Sequence, residues 1–248
     1  MVDDNHLLNH NVPIALIRGG LGERYYWDYF KQIVEKRLNR QVLFLDIAVF
    51  FPFEKNIDVV EMVDHFRQQL FEHTHQYHCH LLGLSFAAAI VLRWQDLFSD
   101  EVISASLINP VLLDRQYRWH VKSLLYLLKV VWMSVCPGNT RQRWFNMHSA
   151  WPSLHDQLPE SRELSDSFSQ LISLFKILFK EPSILKPHVP IQLLVSRHDR
   201  LANHQVSYSL AESWKLPLFP HLSAGHDIAL DDPRWVCEKL TDWVTRND

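Results

Sequence analysis

His80-Leu81-Leu82-Gly83-Leu84-Ser85-Phe86-Ala87-Ala88-Ala89 contains an apolar run, a serine between small residues, and alanines that favour a helix. It reads as a buried strand ending in a tight turn with Ser85 at the tip, followed at once by a helix. In such a turn the strand and helix backbones approach each other two residues before and two residues after the tip. Both places therefore need small side chains. Gly83 and Ala87 occupy them. The turn presents the hydroxyl, and the helix N-terminus behind it favours developing negative charge. An ordinary strand-to-helix turn with an incidental serine has the same outline, so residues elsewhere in the chain must decide.

A serine hydroxyl is a poor nucleophile until a base takes its proton, and the base in turn needs a carboxylate to fix its tautomer. Two later loops offer these groups. The run Val189–Ser196 predicts a buried strand, with Arg197-His198-Asp199-Arg200-Leu201 as its exit loop. Leu216–Phe219 predicts a further strand, followed by Ser223-Ala224-Gly225-His226-Asp227. Ser85, Asp199 and His226 each fall just past the carboxyl end of a strand. Asp114 follows the strand before Asp199 and is the alternative acid. Asp227 is too near His226 in sequence to orient its ring. Read singly, Asp199 could be a turn former and His226 a surface residue; order and placement together favour a catalytic set.

Two backbone amides must hold an oxyanion in such chemistry. One belongs to Phe86, the residue after the nucleophile. The other falls in Arg18-Gly19-Gly20-Leu21-Gly22 after the strand Val12–Ile17, where Gly20 lets the backbone approach a substrate closely. A phosphate cradle is the competing reading of this loop. It lacks both Gly-x-Gly-x-x-Gly and a closing Lys-Ser or Lys-Thr.

These residues resemble the α/β-hydrolase superfamily across essentially the whole chain. Arg18-Gly19-Gly20-Leu21 stands where those proteins carry a His-Gly-x-Gly loop, and Trp27 where many carry an aromatic. Gly83-x-Ser85-x-Ala87 resembles the nucleophile elbow, Asp199 the acid loop and Ala224-Gly225-His226 the histidine loop. The order nucleophile, acid, histidine is also theirs. Within the superfamily the chain looks most like small bacterial carboxylesterases such as the pimeloyl-ACP methyl ester carboxylesterases of biotin synthesis. Arg18 in place of histidine, and Leu45–Val49 without an Asp-x-Pro-Gly turn, depart from the usual pattern at positions without a catalytic role. The resemblance implies an enzyme, a serine esterase that needs no metal or organic cofactor. Its expected substrate is a small or carrier-bound acyl ester, with acyl carrier protein as a partner. Thioester or carbon–carbon bond hydrolysis, or ligand binding without turnover, are the alternatives on the same fold.

The chain of 248 residues suits a single α/β domain spanning 1–248. Strands and helices alternate, which predicts a mainly parallel sheet with helices on both faces. Predicted helices cover 25–38, 59–73, 86–98 and 233–245, the last with Asp231 or Asp232 as N-cap. Predicted strands at 41–46 and 102–108 complete the pattern. Residues 113–187 interrupt it and read as an inserted helical cap, with helices over 117–133 and 164–180. The apolar residues of the second cap helix suit either an acyl-binding cavity or packing within the cap.

The cap holds ten Lys/Arg against six Asp/Glu, whereas the whole chain has net charge −3. Arg115, Arg118, Lys122, Arg141 and Arg143 lie in a stretch with no carboxylate. They would steer an acidic carrier protein, or simply form a solvated face. The net charge gives no reason to expect nucleic-acid binding. No apolar run approaches the roughly 18 residues of a membrane span. A start without a basic and then apolar segment, and three cysteines without motif spacing, fit a cytoplasmic location. The cluster from His73 to His80 invites a metal, but its entry segment fixes no tetrahedral set, and no metal site is expected. His198 and His221 read as surface residues.

Overall fold

Every position of strand β1 (Ile14–Ile17) is apolar and buried, the pattern of a strand covered on both faces. The structure is a computed structural model that describes residues 12–18, 27–45, 58–112, 149–151 and 186–248. After β1 come helix α1 (Asp28–Leu38), β2 (Val42–Leu45), α2 (Val59–Thr74), β3 (Cys79–Leu84) and α3 (Ala87–Leu97). A 3-10 turn (Ser99–Glu101) leads into β4 (Val102–Ile108). Then follow β5 (Ile191–Ser196), α4 (His204–Trp214), β6 (Leu218–His221), the short α5 (Ile228–Asp231) and α6 (Pro233–Asn247).

The six strands form one sheet in the order β2-β1-β3-β4-β5-β6, parallel at every pairing. Alternate side chains feed two cores. Ala15, Ile17, Leu81, Leu107 and Leu193 pack against Met62 and Phe66 of α2 and Ile90 and Trp94 of α3. Ile14, Leu16, Leu82, Ile108 and Leu194 pack against Phe30 and Val34 of α1 and Val236, Leu240 and Val244 of α6. Two-sided burial explains why these strands read as continuous apolar runs rather than alternating ones.

From β1 the chain moves outward to β2, then returns to β3 on the other side of β1. Such a reversal leaves a crevice at the carboxyl ends of the two neighbouring strands, where open α/β sheets bind ligands. Ile17 pairs with Gly83 at that end, so β1 finishes beside the Ser85 turn.

The fold is the α/β-hydrolase fold expected from the sequence, with small differences in its elements. Helix α2 runs one residue past its predicted end, so His73 lies on a helix and His75 caps it in a left-handed conformation, rather than alternating in a loop. Its start is sharp: Asp58 accepts from Glu61 N while the Glu61 side chain accepts from Asp58 N. Helix α4 carries no strong apolar signal, because Ser207 shares its buried stripe with Leu210 and Trp214. Asp232, not Asp231, caps α6 and accepts from Trp235 N at 3.1 Å. Among the described residues, no helix is long and apolar enough to cross a membrane. Most of the predicted cap, with Asp114, Arg115, Arg118, Lys122, Arg141 and Arg143, lies outside the described residues, and so does Gly20.

Candidate active site

Strand β3 ends at Leu84, and Ser85 takes φ 59, in the left-handed region. That conformation costs a non-glycine residue on the order of 1 kcal/mol or more, so neighbouring structure must hold it. Ser85 N donates to Ile108 O at 2.9 Å, and Ser85 O accepts from Ala88 N at 3.2 Å and Val111 N at 3.1 Å. The turn is therefore pinned to the end of β4 as well as to its own helix. Phe86 follows with φ −64 and ψ −26, and its side chain is buried. Gly83 meets the steric demand read from the sequence. A Cβ there would lie 2.8 Å from Val91 Cγ2 and 3.1 Å from Ala87 O.

Asp199 lies three residues beyond β5. Its Oδ1 accepts from Leu201 N at 2.7 Å and Ala202 N at 2.8 Å. Its Oδ2 lies 2.7 Å from His226 Nδ1, and each of the two side chains is 1% exposed. With two backbone N–H groups already on the carboxyl, Nδ1 is the donor of this bond and Nε2 is the ring's basic nitrogen. The acid and histidine singled out in the sequence are thus in contact. They sit at the same edge of the sheet as the Ser85 turn.

The loop carrying His226 is held from several sides. Ala224 N donates to His221 Nδ1 at 2.9 Å, and Ser196 Oγ donates to Ala224 O. Gly225 N donates to Asp231 Oδ2 at 2.6 Å, and Asn109 Nδ2 donates to His226 O at 2.6 Å. His221, expected at the surface, has a side chain only 11% exposed, because its ring organises this loop and meets Asp232 through Nε2. His198 is exposed, as the sequence suggested. Asp227 plays no part in orienting the His226 ring. Its Oδ2 accepts from Trp27 Nε1 at 2.9 Å and its Oδ1 from Leu230 N at 3.1 Å, while burial raises its carboxyl above the ordinary range.

Two residues of this region have roles at the site that the sequence did not point to. Asp231 collects Gly225 N, Ala150 N at 2.7 Å and the Ser149 hydroxyl, and burial raises its carboxyl despite those donors. It thereby joins the histidine loop to residues 149–150. Asn109, at φ 43 after β4, is the other. Its only trace in the sequence is an Asn-Pro dipeptide at a strand end, a turn signal without chemistry.

Among the described residues, no group of three or more His, Cys, Asp or Glu is placed to hold an ion. His80 instead lies at the amino edge of the sheet, opposite Ser85. Its Nδ1 meets Ser104 Oγ at 2.9 Å and its Nε2 meets Asp248 Oδ1 at 3.1 Å, while Arg40 pairs with Asp248 Oδ2. Burial pulls the His80 imidazole down to about 4, with Arg40 acting in the same sense and Asp248 opposing. Cys79 and Cys237 are buried free thiols, and burial pushes the Cys79 thiol well up, as befits a structural residue.

The chain belongs to the alpha/beta hydrolase family, whose pattern matches residues 14–239. No curated protein matches the sequence. Similar solved structures include a candidate lipase from Acinetobacter baumannii AYE, with TM-score 0.73 and 16% identity over 96% of this chain and 84% of that one. A meta-cleavage product hydrolase from Pseudomonas fluorescens IP01 gives TM-score 0.71 and 14% identity over 96% and 92%. A thermophilic esterase from Thermogutta terrifontis gives TM-score 0.67 and 12% identity over 96% and 90%. At these identities the likeness concerns the fold alone.

Proposed function

We propose that this protein is a serine carboxylesterase, with Ser85 as nucleophile, His226 as general base and acid, and Asp199 as the group that orients His226. The observation that carries the reading is the bond between His226 Nδ1 and Asp199 Oδ2, buried from solvent at the sheet edge that bears the Ser85 turn. Water exclusion matters because the imidazolium formed during reaction is stabilised more strongly by a nearby carboxylate in a low-dielectric setting.

In the proposed reaction Ser85 Oγ attacks the ester carbonyl carbon while its proton passes to His226 Nε2. The carbonyl oxygen becomes the oxyanion, received by the amides of Phe86 and Gly20. Collapse breaks the bond to the alcohol oxygen, which leaves with the proton from Nε2. Water then attacks the acyl-enzyme, giving its proton to Nε2, and the returning proton frees Ser85 and the carboxylic acid. Each amide donor is worth roughly 3 kcal/mol of transition-state stabilisation.

Short-chain p-nitrophenyl esters test the proposal. The wild-type protein should turn them over and react with a fluorophosphonate, and Ser85→Ala should lose turnover by on the order of 10⁴-fold or more. A wild type inert to both reagents would leave a ligand-binding protein as the better account.

The finer proposal is that the ester is a methyl ester of an acyl chain on acyl carrier protein. Its support is the cationic stretch with Arg115, Arg118, Lys122, Arg141 and Arg143 together with the family resemblance, and attraction of an acidic carrier is its physical basis. Arg115→Glu, Arg118→Glu and Lys122→Glu combined should slow hydrolysis of the carrier-bound ester and spare p-nitrophenyl acetate. Equal effects on the two substrates would refute the carrier.

A further inference from the structure

Asn109 is 2% exposed, and its carboxamide and its backbone N–H all make hydrogen bonds, to the end of β5 and to the histidine loop. Its Nδ2 donates to His226 O at 2.6 Å, its Oδ1 accepts from Ser196 N at 2.7 Å, and its own N donates to Leu194 O at 2.9 Å. Ser196 ends β5 and leads into the acid loop. Its hydroxyl accepts from His198 N at 3.1 Å and donates to Ala224 O. On the other side, the residues flanking Asn109 in sequence hold the Ser85 turn: Ile108 O accepts from Ser85 N, and Val111 N donates to Ser85 O.

Few side chains could fill this place. The backbone at φ 43 is left-handed, which asparagine tolerates better than other non-glycine residues. A carboxamide is also the smallest group offering a donor and an acceptor in one plane, as a carbonyl on one side and an N–H on the other require.

We infer that Asn109 is a positioning residue that sets the spacing of the Ser85 turn, the acid loop and His226. The inference rests on the serine-esterase reading for its kinetic consequence, though not for its geometry. Misplacement by as little as 1 Å of groups that must meet in a transition state lowers turnover by on the order of 10²-fold. The loss belongs in kcat rather than KM, since Asn109 touches the loops and not the substrate.

Two variants test it. Asn109→Asp keeps the acceptor for Ser196 N but sets an oxygen against His226 O. Asn109→Gly suits the backbone and removes both side-chain bonds. Each should lower kcat for p-nitrophenyl acetate on the order of 10²-fold with KM within about two-fold, and should slow fluorophosphonate labelling in proportion. Asp58→Ala, which removes the remote cap of α2, should be destabilised without that loss of kcat. A second readout does not need turnover. The low-field Nδ1 proton of His226, assigned by its absence in His226→Gln, should shift or broaden in both Asn109 variants. Wild-type kcat together with an unmoved proton resonance in Asn109→Gly would overturn the inference, and so would failure of both variants to fold. A wild type without esterase activity would defeat the functional reading alone, and the proton resonance would still decide the role of Asn109.

Discussion

Gly83 shows how much a single missing Cβ can decide. A methyl group there would press on Val91 Cγ2 at 2.8 Å and on the Ala87 carbonyl at 3.1 Å. A side chain can turn away from such a contact, whereas the helix backbone at Ala87 cannot do so without moving the Ser85 turn. Gly83→Ala is therefore expected to cost about 1–3 kcal/mol, read from urea midpoints at constant m-value. Adding Val91→Ala relieves only the first contact, so the double variant should recover part of the loss and no more. Full recovery would mean that the helix backbone yields freely. The small residue predicted at this place is thus required by the same steric argument that exposed Ser85 in the sequence.

Among the elements, the short helix α5 and the loop before it carry most of the polar ties at the site. Asp231 closes that helix and serves as acceptor for Gly225 N in its own loop and for Ala150 N and Ser149 Oγ in a distant stretch of chain. Asp231→Ala leaves these donors without their acceptor and should destabilise the protein by about 2 kcal/mol or more, measured by thermal or chemical unfolding. Asp231→Asn retains one oxygen for the two amides and can donate to Ser149 Oγ, so it should restore most of that stability. If the alanine and asparagine variants unfold alike, the carboxylate charge rather than the hydrogen bonds is what counts. The sequence offered Asp231 or Asp232 as the cap of α6, because acidic residues just before Pro233 are a local signal, and Asp232 takes that place. The actual partners of Asp231 at Ala150 and Gly225 are set by the tertiary fold.

At the scale of the whole molecule, the two edges of the sheet do different work. The carboxyl edge gathers the candidate catalytic groups, and the amino edge holds the His80, Arg40, Asp248 and Ser104 network, in which His80 is 1% exposed. His80 in the folded protein titrates near 4, against an ordinary value of 6.5 in the unfolded chain. The unfolded state therefore binds the extra proton first as pH falls. The stability associated with neutral His80 is complete above pH 6.5 and declines as pH drops toward about 4. Urea midpoints between those values should fall with decreasing pH in the wild type. His80→Gln should flatten that part of the curve, and an unchanged slope would rule out His80 as its source.

By itself the sequence determined the sterically local features. These are the Gly83–Ser85–Ala87 turn, the buried strands read as β1, β3, β4 and β5, and the start signal of α6. Each depends on residues within a few positions of one another, where backbone sterics and side-chain period act directly. Only the tertiary structure decided which buried polar groups answer one another: Asn109 with His226, Trp27 with Asp227, Arg40 and His80 with Asp248. Burial obliges such groups to find partners, but it does not say where along the chain the partners lie. The strand order brings them together, because a polar group is satisfied by what stands beside it in space.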